Sequence, residues 1–182
     1  MQEEIMYLGF LISYNSFMMD LDKVKEILEW PTPENVSEVR SFHGLASFYR
    51  KLIRNISVVS NAMNKTMRGD KKDFKWTHGA DKSFEALKHK VVELPILVLP
   101  YFNKVFQVEC DASGSAIGAL LSQEGKHVAF FSEKLNDTKR KHFVYDQEFY
   151  AIVQALKKWR HYLIPKEFVL YTDHKDLQYL GS

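Results

Sequence analysis

Val105 to Leu121 reads VFQVECDASGSAIGALL, and the way this stretch is parsed decides the fold. Along it, Phe106, Val108 and Cys110 fall on one face of an extended strand and Gln107, Glu109 and Asp111 on the other, because successive side chains alternate. The apolar face should meet a core, leaving Asp111, at the expected end of the strand, facing something polar. Ala112-Ser113-Gly114-Ser115 has the composition of a tight turn, since Gly tolerates positive φ and Ser can bond its own backbone. Ile117, Ala119 and Leu121 then alternate on a return strand. From this stretch alone Asp111 is either a turn cap or part of a polar site.

Downstream, Lys126 to Leu135 extends the hairpin to a three-stranded antiparallel meander, with Val128, Phe130 and Ser132 alternating against Ala129, Phe131 and Glu133. Residues 143–163 read as a helix that turns Tyr145, Phe149, Ile152, Leu156 and Trp159 toward a core. Glu148 shares an adjacent line with Ala151 and Ala155, small residues that let a helix approach a sheet closely. Glu167 to Thr172 is a fourth strand leading into Asp173, and Lys175 to Leu180 has the pattern of a further helix. Asp111, Glu148 and Asp173 are therefore either unrelated acids at element ends or three carboxylates converging at one edge of a mixed sheet. Convergent carboxylates repel unless divalent cations neutralise them. Mg²⁺ takes such oxygen ligands, and two ions about 4 Å apart can activate water and stabilise the leaving oxygen of a phosphodiester.

Upstream, Met6 to Tyr14 with a turn at Asn15-Ser16 reads as a hairpin, and Asp20 caps a helix that Pro31 and Pro33 stop near Trp30. Asn35 and Glu38 form a capping-box-like pair for a second helix, whose apolar stripe is Val39, Phe42, Ala46, Tyr49 and Ile53. At 100° per residue, Arg40, His43, Ser47, Arg50 and Arg54 fall on one neighbouring arc. This basic strip is either a solvated face or a track for phosphates. A third helix is expected from Ser57 to Met67, with Val58, Val59, Ala62 and Met63 inward, and a fourth from about Thr77 to Glu93. The polar run from Arg68 to Lys72 between them is the expected domain boundary.

Composition sets outer limits. At 46% hydrophobic and 26% charged, 182 residues suit one or two globular domains. No apolar run approaches the roughly 18 residues that cross a bilayer, and MQEEIMYLGF lacks the basic flank of a signal peptide. The expectation is an intracellular chain, cytoplasmic or nuclear, with no membrane partner. The single Cys110 excludes an internal disulfide and a multi-cysteine zinc site. Net charge is +2, yet residues 36–72 hold eight Lys/Arg against two acids, which makes that segment +6 and the remainder −4. A basic segment joined to an acid-bearing one is seen where one part holds a polyanion and another acts on it.

The ordered blocks VECDAS, AFFSEKL, YDQEFYAIVQALKKWRHYL and VLYTDH resemble the ribonuclease H region of gypsy-type LTR retrotransposon Pol polyproteins. WPTPENVSEVRSFHGLASFYRKLIRN is similar to that family's thumb, and MYLGFLIS to the hairpin that helps grip the primer terminus. The resemblance implies an α+β chain: an end-of-palm hairpin at 1–20, a helical thumb at 21–72 and a ribonuclease H-like domain at 73–182. That last domain would hold three antiparallel strands, a helix and a parallel strand, and would be incomplete at its C-terminus. The resemblance further implies that Asp111, Glu148 and Asp173 are catalytic carboxylates binding Mg²⁺, or Mn²⁺ in its place. Arg40, His43, Arg50 and Arg54 would contact an RNA–DNA hybrid or a template–primer duplex, and the rest of the Pol polyprotein would be a partner. The polymerase aspartates are expected before residue 1 and a fourth nuclease aspartate after Ser182. The implied activity is cleavage of RNA in hybrids by the parent protein, the alternative being an inactive remnant that retains nucleic-acid binding. Phe143-Val144 departs from the small hydroxyl residues the family places before the Glu148 helix, so a side-chain N-cap should be missing.

Overall fold

The computed structural model describes residues 4–68 and 74–172 and divides the chain into two compact units, Met1–Ile96 and Leu97–Ser182. The expected boundary run, 68–72, lies outside the described residues except for Arg68.

The first unit begins with three short antiparallel strands, β1 (Ile5–Tyr7), β2 (Phe10–Ile12) and β3 (Ser16–Met19). The run from Met6 to Tyr14, expected as one strand, is folded in two at Leu8-Gly9. Both residues have positive φ, 50° and 76°, as a two-residue type I′ hairpin turn requires. The Gly9 carbonyl accepts from Tyr49 Oη at 3.3 Å, and a Cβ on Gly9 would stand 2.4 Å from that oxygen. Gly9→Ala is therefore expected to cost about 1–2 kcal/mol, from the left-handed backbone and the displaced tyrosine together. Urea denaturation of the variant, with Tyr49→Phe as a comparison that keeps the ring, checks it.

Helix α1 (Leu21–Leu28) is capped by Asp20, whose side chain accepts from the Asp22 amide at 3.0 Å. In α2 (Val36–Phe48) the Asn35 side chain accepts from Glu38 N at 3.0 Å while Glu38 Oε2 accepts from Glu34 N at 2.8 Å. The reciprocal bond of the capping box thus reaches one residue further back than the cap itself.

Two corrections apply after α2. The helix stops at Phe48 instead of continuing through Arg54, although Tyr49, Leu52 and Ile53 remain buried. Turns at residues 49–55 are closed by Arg50 N to Ser47 O and Leu52 N to Tyr49 O, and Leu52 and Ile53 both face inward from them. The expected third helix is two pieces, α3 (Ile56–Val59) and α4 (Asn61–Lys65), divided at buried Ser60, with Val58 outward. Helix α5 (His78–Val92) starts at Thr77, whose hydroxyl accepts from Ala80 N at 3.1 Å. Phe42 of α2 and Phe84 of α5 meet with ring centroids 4.5 Å apart and form the centre of this unit's core.

The second unit holds β4 (Leu97–Val98), β5 (Phe106–Ser113), β6 (Ala116–Gln123), β7 (Lys126–Lys134), α6 (Val144–Lys158), α7 (Arg160–Leu163) and β8 (Phe168–Thr172). A 3-10 turn at Lys139–Lys141 precedes α6. Its main sheet has the order β7-β6-β5-β8; β5, β6 and β7 are antiparallel, and β8 returns parallel to β5. This is the α+β arrangement the sequence implies: a three-stranded meander, a helix and a parallel strand. Phe106, Val108 and Cys110 of β5 join Ile117, Ala119 and Leu121 of β6 and Ala151, Ile152 and Ala155 of α6 in one core. Among the described residues no helix is long and apolar enough to cross a membrane.

The stripe of α6 is the expected one at Ile152 and Trp159, which are buried, and differs from it at Tyr145 and Phe149. Tyr145 and Phe149 are 41% and 46% exposed, whereas Glu148, Ala151, Ile152 and Ala155 are buried. In the first turns of the helix the line of two alanines and a carboxylate is the one that meets the sheet, because small side chains permit close approach, and Tyr145 and Phe149 are turned outward. As expected, Phe143 at the N-cap makes no side-chain capping bond.

A candidate carboxylate site at the end of β5

Strand β5 does not end at Asp111. Its pairing with β6 runs through Asp111↔Gly118 and Ala112↔Ile117 to Ser113↔Ala116, and the turn is only Gly114-Ser115. Ser113 holds it, its hydroxyl donating to Ala116 O at 3.1 Å and accepting from Ala116 N at 3.3 Å. Gly114 is not among the positive-φ glycines. On the other side of β5, the described parallel pairing with β8 runs from Phe106↔Phe168 to Cys110↔Thr172. Asp111 thus follows the last described β8 contact while still laddered to β6. Its side chain is exposed, on the face opposite Cys110.

Glu148 reaches this strand from α6. It is only 6% exposed, and its Oε1 accepts from Ala112 N at 3.2 Å, the amide that directly follows Asp111. The Ala151–Ala155 line brings α6 close enough for that bond. Burial, and secondarily the negative charge of Glu148, push the Cys110 thiol up to about 12. Cys110 is therefore a neutral core residue and not a nucleophile. Alkylation of the folded chain at pH 8 is expected to be about 10²-fold or more slower than in urea, as measured by thiol-reagent kinetics.

Asp111 and Glu148 are brought to consecutive backbone positions of one strand. Asp173, the third expected carboxylate, lies outside the described residues; Thr172 before it pairs with Cys110, the residue before Asp111. Among the described residues no group of three or more His, Cys, Asp or Glu side chains is clustered to hold a metal ion. The two carboxylates at the end of β5 supply oxygen donors only, the set that suits Mg²⁺ better than a soft metal.

The expected nucleic-acid residues belong to the first unit. Arg40 is exposed on α2, and Arg50 and Arg54 are exposed in the turns beyond it, so the strip is not a single helical arc. None of these three arginines forms an ion pair within 4 Å among the described residues. His43 is half-buried, with Ser47 Oγ 3.5 Å from its ring. Burial first, and then the guanidinium of Arg50, hold its pKa below the ordinary 6.5. It is neutral at pH 7, and the stability its neutral form contributes is present above about 6.5 and lost as pH falls through its lowered folded value.

Sequence reasoning missed Gln147, buried in the first turn of α6. Its amide nitrogen donates to the carbonyls of Lys139, Arg140 and His142 at 3.3, 3.3 and 3.1 Å. One signal was available: a glutamine near the start of a helix that lacks a conventional cap.

The similarities agree with this geometry. The chain is 35% identical over its whole length to a retrovirus-related Pol polyprotein from transposon 297 of Drosophila melanogaster. It is 34% identical over 98% of its length to the Pol polyprotein of transposon gypsy from the same organism. A Tf2 transposon polyprotein of Schizosaccharomyces pombe is 33% identical over 97% of the chain. The chain spans 17%, 18% and 14% of those three proteins. Among solved structures, the foamy viral protease-reverse transcriptase in complex with dsDNA is similar over 99% of the chain and 38% of its own, with a TM-score of 0.88 and 19% identity. The same enzyme in complex with an RNA/DNA hybrid gives 0.84 over 98% of the chain and 25% of its own, again at 19% identity. The fold is therefore shared. Residues 76–170, just over half of the sequence, match the family described as the RNase H-like domain found in reverse transcriptase, and the chain belongs to that family.

Proposed function

We propose that this chain is the thumb and ribonuclease H portion of a retrotransposon reverse transcriptase, and that the polyprotein containing it cleaves RNA in RNA–DNA hybrids. The observation that carries the reading is the bond from Ala112 N to buried Glu148, which holds one carboxylate beside the backbone of another at a strand end. A buried carboxylate is costly unless its charge has a use or a partner. Asp111 and Glu148, with Asp173, would hold Mg²⁺ or Mn²⁺. Bound there, the ions would supply an activated water and would neutralise charge developing on the phosphodiester.

The chain's own residues do the positioning. Ala112 N–H fixes one oxygen of Glu148, while the alanine line of α6 sets the depth at which that carboxylate lies. Exposed Asp111 directly precedes the amide that Glu148 accepts from, so the two acids are neighbours along the strand and would address the same ion and substrate. Arg40, Arg50 and Arg54 would contact backbone phosphates of a hybrid or template–primer duplex, with His43 as a neutral hydrogen-bonding neighbour. The division into an end-of-palm hairpin, thumb and ribonuclease H-like domain belongs to the same proposal. So does the setting: the remainder of the Pol polyprotein as partner, inside the cell.

The test is cleavage of a labelled RNA–DNA hybrid with Mg²⁺, by the polyprotein enzyme carrying this segment and by the 182-residue chain. Cleavage by the enzyme that is lost on chelation supports the reading; a Mg²⁺-independent rate contradicts it. Should the chain bind hybrid with a steep salt dependence yet never cut it, the nucleic-acid-binding remnant is the correct description of the chain alone.

A further inference from the structure

A groove of about 490 Å³ lies between α6 and the 3-10 turn, unused by the nuclease reading. Its floor is apolar, formed by buried Leu135, half-buried Val153 and the outward ring of Phe149. Tyr150 adds an aromatic wall. Lys139 Nζ stands 3.7 Å from the centroid of that ring and donates to Tyr150 Oη, which in turn donates to Glu133 Oε1 at 2.8 Å. Glu133 is thereby engaged by the tyrosine hydroxyl. Lys157 supplies a second cation at the rim, while the one acid of the lining, Asp146, faces His142 at 3.7 Å. Two cations, Lys139 and Lys157, thus stand against the single carboxylate of Asp146 in the lining, a net positive rim over an apolar floor.

The groove is also preformed. The three carbonyl bonds of buried Gln147 fix the turn that makes its wall, so little ordering is left for a ligand to impose. Its volume falls in the range of about 300–1,000 Å³ that small-molecule sites occupy.

We propose that this groove binds a small planar aromatic anion, its ring against Leu135, Val153 and Tyr150 and its carboxylate, sulfonate or phosphate between Lys139 and Lys157. Gln147 and Phe149, the chain neighbours of Glu148, both line it, so an occupant touches the helix turn that carries the candidate site. The proposal does not depend on the nuclease reading.

The test uses 8-anilinonaphthalene-1-sulfonate as the aromatic anion and N-phenyl-1-naphthylamine as its neutral counterpart, titrated into the full 182-residue chain by fluorescence. One saturable site per chain is expected, with the anion bound about ten-fold or more tightly than the neutral ring. Val153→Trp fills the floor and should weaken the anion by about ten-fold or more. Lys157→Glu, at an exposed position that leaves packing intact, should weaken the anion but not the neutral ring. If both variants bind the anion as the wild type does, or if the neutral ring binds as tightly, the proposal is overturned. If Val153→Trp fails to fold by circular dichroism, the Lys157→Glu result decides alone.

Discussion

Asp111→Asn in the polyprotein enzyme is expected to abolish Mg²⁺-dependent hybrid cleavage, by about 10³-fold or more, while leaving stability within about 0.5 kcal/mol. The two halves of this outcome have separate causes. Asp111 is exposed on β5 and opposite Gly118, so its side chain carries little packing, and amide for carboxylate is nearly isosteric. What the substitution removes is a negative oxygen donor at the strand end. Glu148→Gln should behave alike, losing cleavage with its negative oxygen donor and keeping stability, because the amide carbonyl can still accept from Ala112 N. Glu148→Ala should differ, since the half-buried Ala112 amide loses this acceptor, a cost of about 1–3 kcal/mol. Comparing the three variants by cleavage rate and by denaturation separates a metal-binding role from a structural one. A cleavage loss in Asp111→Asn matched by an equal loss of folding would contradict the assignment.

Ala151→Leu is expected to destabilise the second unit by about 1–3 kcal/mol or more and to suppress cleavage with it. Ala151 is fully buried within the core formed by β5, β6 and α6, one helical turn from Glu148. Added methylenes there push α6 off the sheet and lengthen the bond from Ala112 N to Glu148. Tyr145→Ala and Phe149→Ala, at outward positions of the same helix, should change stability by no more than about 0.5 kcal/mol. Hydrogen exchange of β5 and β6 amides reads this unit by itself. If Phe149→Ala proved the costly one, the face of α6 described here would be wrong.

The contrast within α6 shows what the sequence could carry. Periodicity located the helix and both lines of residues on it, but hydrophobicity ranked Tyr145 and Phe149 above a stripe containing a carboxylate. Ile152 and Trp159 of the expected line are buried, but in the first turns of the helix the sheet chose the other line because distance of approach, set by Ala151 and Ala155, outweighed apolar area. The meander around Asp111 was legible from strict alternation, and only its length was not. A side chain, Ser113, closes the turn there, extending the ladder two residues past the acid. In the first unit, Asp20, Asn35 and Thr77 mark helix starts by capping chemistry that is local and hence readable. The end of α2 was not, because Tyr49 is held by a bond to Gly9, forty residues away in sequence. The convergence of Glu148 on β5 is likewise a tertiary fact that local pattern could suggest only through the neighbouring alanines.

The central claim, that Asp111 and Glu148 share a divalent ion at the end of β5, is tested most directly by Mn²⁺ titration of the isotopically labelled chain. Substoichiometric Mn²⁺ should selectively broaden the amides of Asp111, Ala112 and Ser113 and of the first turns of α6, with Mg²⁺ competing and Asp111→Asn abolishing the effect. Broadening that spreads over the acidic surface without favouring these amides, or that persists in Asp111→Asn, would contradict it.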